Sequence, residues 1–206
     1  MTEKICFITT NRYKFREVSD ILKEFDIKIE HLDMDYEENH ELGDVEDIAK
    51  SSAIVLSKKI NKPFFIEDTG LCFEAYKAFP GVFPKFVINA IGYDGIFRLL
   101  KDKNRSALFK AAVAYCEPNK NPVTFTGILK GKISEVIENP NIDCFGYDRI
   151  FIPNGYPSTI SNFLDKKNEF SHRAMAIREL GKYLKEKTIY PDVVHALQHI
   201  LHQLSL

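Results

Sequence analysis

The sequence predicts an α/β fold of two lobes with a central cleft between them. Three observations point there: a β-α-β opening that runs to Leu32, an apolar run that ends in the acids Glu67-Asp68, and a middle region that reads as antiparallel strands. The 206 residues, 45% hydrophobic and 28% charged, are enough to bury a core as one domain or two closely joined lobes.

The first strand, Ile5 to Ile8, breaks into Thr9-Thr10-Asn11 and leads to a helix on which Phe15, Val18, Ile21, Leu22 and Phe25 recur at helical spacing. A second strand lies near Ile27 to Leu32. After an acidic connection, Val45, Ile48, Ala49, Ser52, Ala53 and Leu56 mark a helix to about Lys59. Pro63-Phe64-Phe65-Ile66 reads as a buried strand ending at Glu67-Asp68-Thr69-Gly70, which places the acids at a strand's C-terminal end, where ligands of α/β sheets usually bind. Phe86 to Leu100 reads as a helix, Ala107 to Cys116 and Val123 to Lys132 as strands joined by the turn Glu117 to Asn121, and Phe145 to Ile152 as a further strand with its approach. Ser171 to Lys187 is a helix with Ala174, Ile177, Leu180, Gly181 and Leu184 on one face, and Pro191 opens a last helix. These boundaries divide the chain into a main domain, 1–190, and a C-terminal helical extension, 191–206.

Lys and Arg (28) nearly balance Asp and Glu (29), so no overall field is available to hold a nucleic acid or an anionic membrane. No run approaches the roughly 20 apolar residues of a membrane span, and a cytoplasmic protein is expected. Cys6, Cys72, Cys116 and Cys144 lie far apart with no C-x-x-C pair, which suggests reduced thiols rather than zinc or a disulfide framework.

Chemistry concentrates at four places. Arg12 and Lys14 stand on the first turn of a helix, where cations oppose the helix dipole and cost about a few tenths of a kcal/mol. A bound phosphate removes that conflict, taking the free N–H groups, the Thr hydroxyls, the Asn amide and the Lys ammonium; the alternative is Thr or Asn as an ordinary cap. Glu38, in the acidic connection 33–38, joins Glu67 and Asp68 as a carboxylate set that suits Mg²⁺, which takes oxygen ligands and bridges one or two carboxylates to substrate phosphates. Solvated loop acids are the plainer reading, and for Glu37 the preferred one. Phe145-Gly146-Tyr147-Asp148 sets aromatic rings beside a glycine and an acid, as in a base pocket; an aromatic core strand is the alternative. Ser171-His172-Arg173 opens a helix with potential cations, after Lys167, and can donate to a carbonyl oxygen where an exocyclic amine would meet donor with donor; a capped helix with solvated charges competes. His195, His199 and His202 share one face of the last helix, and exposed histidines are the preferred reading over a transition-metal site.

Together these motifs resemble the inosine triphosphate pyrophosphatase family, also called the Ham1 family, and its archaeal members in particular. The resemblance is carried by Thr9-Thr10-Asn11-Arg12-Tyr13-Lys14, Glu67-Asp68-Thr69-Gly70-Leu71, Phe79-Pro80-Gly81-Val82-Phe83, Phe145-Gly146-Tyr147-Asp148, and Ser171-His172-Arg173 with Ala174 and Ala176. It implies the ITPase-like (Maf/Ham1) fold, a long twisted mixed sheet flanked by helices, and a homodimeric enzyme that hydrolyses ITP, dITP and XTP to the monophosphate and pyrophosphate with Mg²⁺. By the same resemblance Thr9, Asn11 and Lys14, within the segment that also holds Thr10, Arg12 and Tyr13, bind the phosphates. Glu38 and Asp68 bind Mg²⁺, with Glu67 a further candidate, and Asp68 is the general base. Thr69 contacts the substrate, and Phe145, Gly146, Tyr147, Asp148, Lys167, His172 and Arg173 form the base pocket. Hypoxanthine and xanthine offer an O6 acceptor to Arg173 where adenine presents a donor. The chain departs from the family pattern at Arg149, where a Pro is usual, at Pro84, where a Ser is usual, and at Ser161-Asn162, where Ala-Glu is common. The competing readings are a Maf-type pyrophosphatase for pyrimidine or modified nucleotides and a non-catalytic nucleotide- or RNA-binding module.

Overall fold

The computed structural model describes residues 4–189. The proposed last helix and the faces of His195, His199 and His202 lie outside the described residues.

Among the described residues, seven strands form one mixed sheet in the order β2 (Ile29–Leu32), β1 (Ile5–Ile8), β3 (Phe64–Phe73), β5 (Ser106–Cys116), β6 (Val123–Ile133) and β7 (Phe151–Pro153), with β4 (Pro80–Gly81) paired to β3. β1 (Ile5–Ile8) and β2 (Ile29–Leu32) pair in parallel, with α1 (Arg12–Lys23) as the crossover between them. Phe25 falls beyond the end of α1. α2 (Val45–Ser57) follows, starting at Asp44, whose side chain accepts from the Glu46 N–H.

β3 (Phe64–Phe73) runs through the acids rather than ending at them. It pairs in parallel with β1 only at Phe64 and Phe65, and antiparallel with β5 (Ser106–Cys116) along all ten of its residues. β5 supplies the hydrogen-bonding partners that let the strand continue past the apolar run. β1 stops at Ile8, and β4 meets β3 only from Leu71 onward, so the register with its neighbours on that side skips the stretch from Ile66 to Gly70.

α3 (Pro84–Leu99) is broken at Gly92, whose φ of 63° lies outside helical space. β6 (Val123–Ile133) pairs antiparallel with β5, and β7 (Phe151–Pro153) with the end of β6. The expected strand from Phe145 therefore begins only at Phe151; Gly146–Arg149 form a 3-10 turn, with the Asp148 N–H bonded to the Phe145 carbonyl at 3.0 Å. Lys167 opens a short helix, α4 (Lys167–Phe170), instead of sitting in a loop, and α5 (His172–Ile189) begins after Ser171, whose hydroxyl accepts from the Ala174 N–H.

Alternation along the strands feeds three cores. Phe7 and Phe65 stack at 4.6 Å under Val18, Ile21 and Leu22 of α1 and Ile177 and Leu180 of α5. On the opposite face Ile8, Phe64 and Ile66 pack with Val45, Ala49 and Ala53 of α2. The far ends of β3, β5 and β6 carry a separate core of Leu71, Phe73, Phe109, Leu129, Phe151 and Ile96. Burial of each large apolar side chain contributes about 1.5–3 kcal/mol. The two lobes are thus two sets of cores strung along shared long strands.

The sheet and α5 meet closely at Gly127 of β6, where a Cβ would lie 2.1 Å from the His172 carbonyl oxygen and 2.8 Å from the Ala176 nitrogen. Both neighbours are backbone and cannot turn aside. Gly127→Ala should destabilise the protein by about 1–3 kcal/mol in urea unfolding, as overpacking does; an unchanged midpoint would contradict this contact.

Candidate active site

Consecutive side chains on a strand point to opposite faces, and on β3 this separates Glu67 from Asp68. Glu67 follows Phe65 toward α1 and α5, and Asp68 follows Ile66 toward α2.

Glu67 is fully buried, and its carboxylate meets Lys14 Nζ at 2.9 Å, Arg173 Nε at 3.4 Å and the Thr69 hydroxyl at 2.5 Å. Lys14 also donates to the Glu67 carbonyl at 3.0 Å, on the edge that β1 leaves open. Burial pushes the Glu67 carboxyl up, but Arg173 and Lys14 outweigh it and hold the group well below the usual carboxylate range. Oε2 faces the two cations, and Oε1 accepts from the Thr69 hydroxyl. The structure does not gather Glu67 with Glu38 and Asp68 as ligands, and no group of three or more His, Cys, Asp or Glu in metal-holding geometry occurs among the described residues.

Asp68 has the opposite character. One oxygen accepts from the Thr69 N–H at 2.7 Å, and the other, Oδ2, is buried with no hydrogen-bond partner. Burial raises its pKa to about 6; Lys14 opposes the rise and Glu38 and Glu67 add to it. Glu38 is close enough to act on Asp68, and its own carboxylate meets His40 Nε2 at 3.1 Å. The Tyr36 hydroxyl lies among the same acids, its pKa raised by burial first and then by Glu38 and Asp68. An orphaned buried oxygen beside a second carboxylate fits an ion that takes two protein oxygens and fills its other positions with phosphate and water. A cavity of ≈ 390 Å³ is lined among others by Gly70, Cys72, Gly81 and Lys110, and by neither Asp68 nor Glu38. Another, of ≈ 460 Å³ beside Arg98, Arg105 and Glu135, contains none of the residues singled out from the sequence.

At the start of α1, Asn11 is a helix cap: its side chain accepts from the Tyr13 and Lys14 N–H groups at 3.0 and 3.2 Å. The Thr9 hydroxyl accepts from the Asn11 N–H, and Thr10 and Arg12 are exposed. The Tyr13 hydroxyl contacts the Asp143 carboxylate, and its ring lies 5.4 Å from Phe145.

The second charged cluster is buried. Lys167 bonds Asp148 at 2.7 Å and Glu17 at 2.9 Å, and Arg173 bonds Glu17 at 2.6 Å. Phe145 lies over both cations, 4.5 Å from Lys167 Nζ and 5.2 Å from Arg173 Cζ. Burial raises the Asp148 pKa against the pull of Lys167, and burial followed by Arg173 holds His172 well below its ordinary value, so its imidazole is neutral near pH 7. His172 stacks on Phe109 at 4.7 Å with Nδ1 unpartnered. Tyr147 stands apart: it is packed in the far core, its hydroxyl bonded to the Pro84 carbonyl.

Sequence reasoning passed over Glu17, which joins Lys167 and Arg173 to α1. The available signal was its spacing: Lys14 and Glu17 are three apart on one helix and so share a face.

Residues 5–183 match the sequence model of the Ham1 family. The chain belongs to the Ham1 family. A protein of Methanopyrus kandleri named dITP/XTP pyrophosphatase is 39% identical over 184 residues, 88% of this chain and 96% of that one. One of Thermococcus kodakarensis with the same name is 37% identical over 185 residues, 89% and 98% of the two chains. The solved structure of a HAM1 protein from Coxiella burnetii superposes with a TM-score of 0.76 at 25% identity, covering 90% of this chain and all of that one.

Glu17 links the cluster of Lys167 and Arg173 in this Ham1 protein to stability. Burial pushes its carboxyl up, yet Arg173 and Lys167 more than offset this and leave it below the ordinary range. A depressed acid contributes stability that is fully present above its unfolded pKa and is lost as pH falls through the folded value. Glu17→Gln should therefore cost about 3 kcal/mol at neutral pH, and this gap should narrow below about pH 4, read by urea unfolding at both pH values. A gap independent of pH would refute the charge pairing.

Proposed function

We propose that this Ham1 protein hydrolyses the non-canonical purine nucleotides ITP, dITP and XTP to the monophosphate and pyrophosphate, with Mg²⁺ as cofactor. The observation that carries the reading is Asp68, a half-buried residue whose Oδ2 is buried and unpartnered, beside Glu38 and across the strand from the Glu67–Lys14–Arg173 cluster. The dITP/XTP pyrophosphatase names of the archaeal relatives support the substrate class.

Glu38 and Asp68 would hold the ion, which when bound offsets the charge of the triphosphate and polarises its phosphoryl oxygens. Lys14, fixed by Glu67, approaches the tail together with the Thr9–Asn11 turn. Asp68 takes a proton from the water that attacks the α-phosphorus, the bond to the bridging oxygen breaks, and pyrophosphate leaves. Phe145 offers a ring face to the base, while Lys167 and Arg173 have donors for O6. Arg173 carries five N–H groups, enough to keep its carboxylates and still serve a carbonyl. Adenine would set its amine against these donors and leave buried polar groups unpaired, a strong basis for rejection.

Catalysis would reside in residues 1–190, with 191–206 as an extension; the family match ends at 183. A near-balanced charge argues against nucleic acid as partner. No helix among the described residues is long and apolar enough to cross a membrane, and the cytoplasm, where nucleotides are found, is the proposed location. A homodimer is supported by the apolar face around the start of α3, where Phe83, Ile91 and the 71% exposed Phe86 face outward.

Pyrophosphate release measured across ITP, XTP, GTP, dTTP and UTP should be fastest with ITP and XTP; a pyrimidine preference would favour the Maf-type reading, and ITP binding without turnover a non-catalytic module. Asp68→Asn should lower kcat by about 10³-fold or more with the melting temperature retained. Phe86→Asp should shift the light-scattering mass toward the monomer, and a wild-type protein already monomeric would remove the dimer from the proposal.

A further inference from the structure

Arg149 leaves the 3-10 turn away from the charged pocket. Its neighbour Asp148 turns inward to Lys167 at 2.7 Å. Arg149 turns outward, where Nη1 donates to the Tyr93 hydroxyl at 3.3 Å and Nη2 donates to the Ile142 carbonyl. Tyr93 is the first residue after the break at Gly92, and its own hydroxyl donates to the Gly146 carbonyl at 2.8 Å. The Arg149 carbonyl accepts from the Glu138 N–H at 3.0 Å.

One residue thus ties three segments together: the second half of α3 through Tyr93, the approach 138–142, and the turn that presents Phe145 and Asp148. Gly146 lies close to α3 as well, since a Cβ there would come within 2.9 Å of Ile88 Cδ1. A guanidinium suits this task because its planar fork serves two acceptors in fixed directions, which an ammonium cannot do. None of these bonds reaches Lys14, Glu38 or Asp68.

We propose that Arg149 is a positioning residue for purine recognition: through Tyr93 and Ile142 it sets where Phe145 and Asp148, and with Asp148 the Lys167 ammonium, meet the base, and it does so without touching the nucleotide. The proposal rests on the reading of this site as a purine nucleotide pocket. Because the phosphate end is held by other elements, loss of Arg149 weakens binding of the base in ground and transition states alike. Such a loss appears in KM and leaves kcat in place.

The test uses Arg149→Met, which keeps the stem and removes the donors, Arg149→Lys, which returns one donor, and Tyr93→Phe, which removes the far end of the bridge. With ITP as substrate, Arg149→Met should raise KM about tenfold with kcat within about twofold, Arg149→Lys should recover part of the loss, and Tyr93→Phe, which also removes the bond to the Gly146 carbonyl, should raise KM in the same way. Inhibition by inorganic triphosphate, which has a tail and no base, should be unchanged. Unchanged KM, a fall confined to kcat, or a matching loss of triphosphate inhibition would overturn the proposal. If Arg149→Met fails to fold, Arg149→Lys and Tyr93→Phe carry the same comparison. A wild-type protein that hydrolyses no purine triphosphate refutes the functional reading alone; calorimetric binding of IMP then reads the bridge, with about tenfold weaker binding by the variants expected and equal affinity overturning it.

Discussion

The buried carboxylate of Glu67 is the constraint on which the site depends. It joins the middle of β3 to the first turn of α1 through Lys14 and to the first turn of α5 through Arg173. A fully buried carboxylate in isolation would be prohibitively costly, and removing one partner from such a cluster costs about 3–5 kcal/mol. Two helix openings are therefore held against the strand by the same charge. Glu17 repeats the arrangement one step away, binding Arg173 and Lys167 and so joining α1 to the turn that carries Asp148.

This network accounts for an oddity of the sequence. Lys14 and Arg173 stand where a helix dipole disfavours cations and an anion offsets the conflict. In the folded chain an anion is indeed present at both places, but it is supplied by Glu67 and Glu17. The cations are then preorganised, because their positions are set before any nucleotide arrives. Asp68 gains from the same arrangement: it points to the other face, keeps an oxygen without a partner, and has its pKa raised by burial to about 6.

Much of the fold was legible because hydrophobic periodicity reports burial directly. β1 begins and ends where the apolar run does, and α2 follows its stripe from Val45 to within a turn of the expected end. Other features were hidden for physical reasons. The acids looked like the end of a strand because charge usually marks exposure, yet β5 pairs with that stretch and α1 and α5 neutralise Glu67. Phe145 to Arg149 looked like strand because aromatic residues favour sheets, while the backbone there closes a 3-10 turn. The break at Gly92 lies inside a stretch that reads as one helix, where a lone glycine is the only local signal and does not by itself tell a break from a tolerated helical glycine.

The sequence by itself determined the order of elements, the motifs that place the chain in its family, and the residue types gathered at the site, since these depend on local spacing and composition. Only the tertiary structure decided which partner each charge takes. It separated adjacent Glu67 and Asp68 onto opposite faces, brought Glu17 to residues more than 140 positions away, and moved Tyr147 into a core. The physical reason is that a charge answers to whatever lies within a few ångströms of it, and in this chain those neighbours come from strands and helices far apart in sequence.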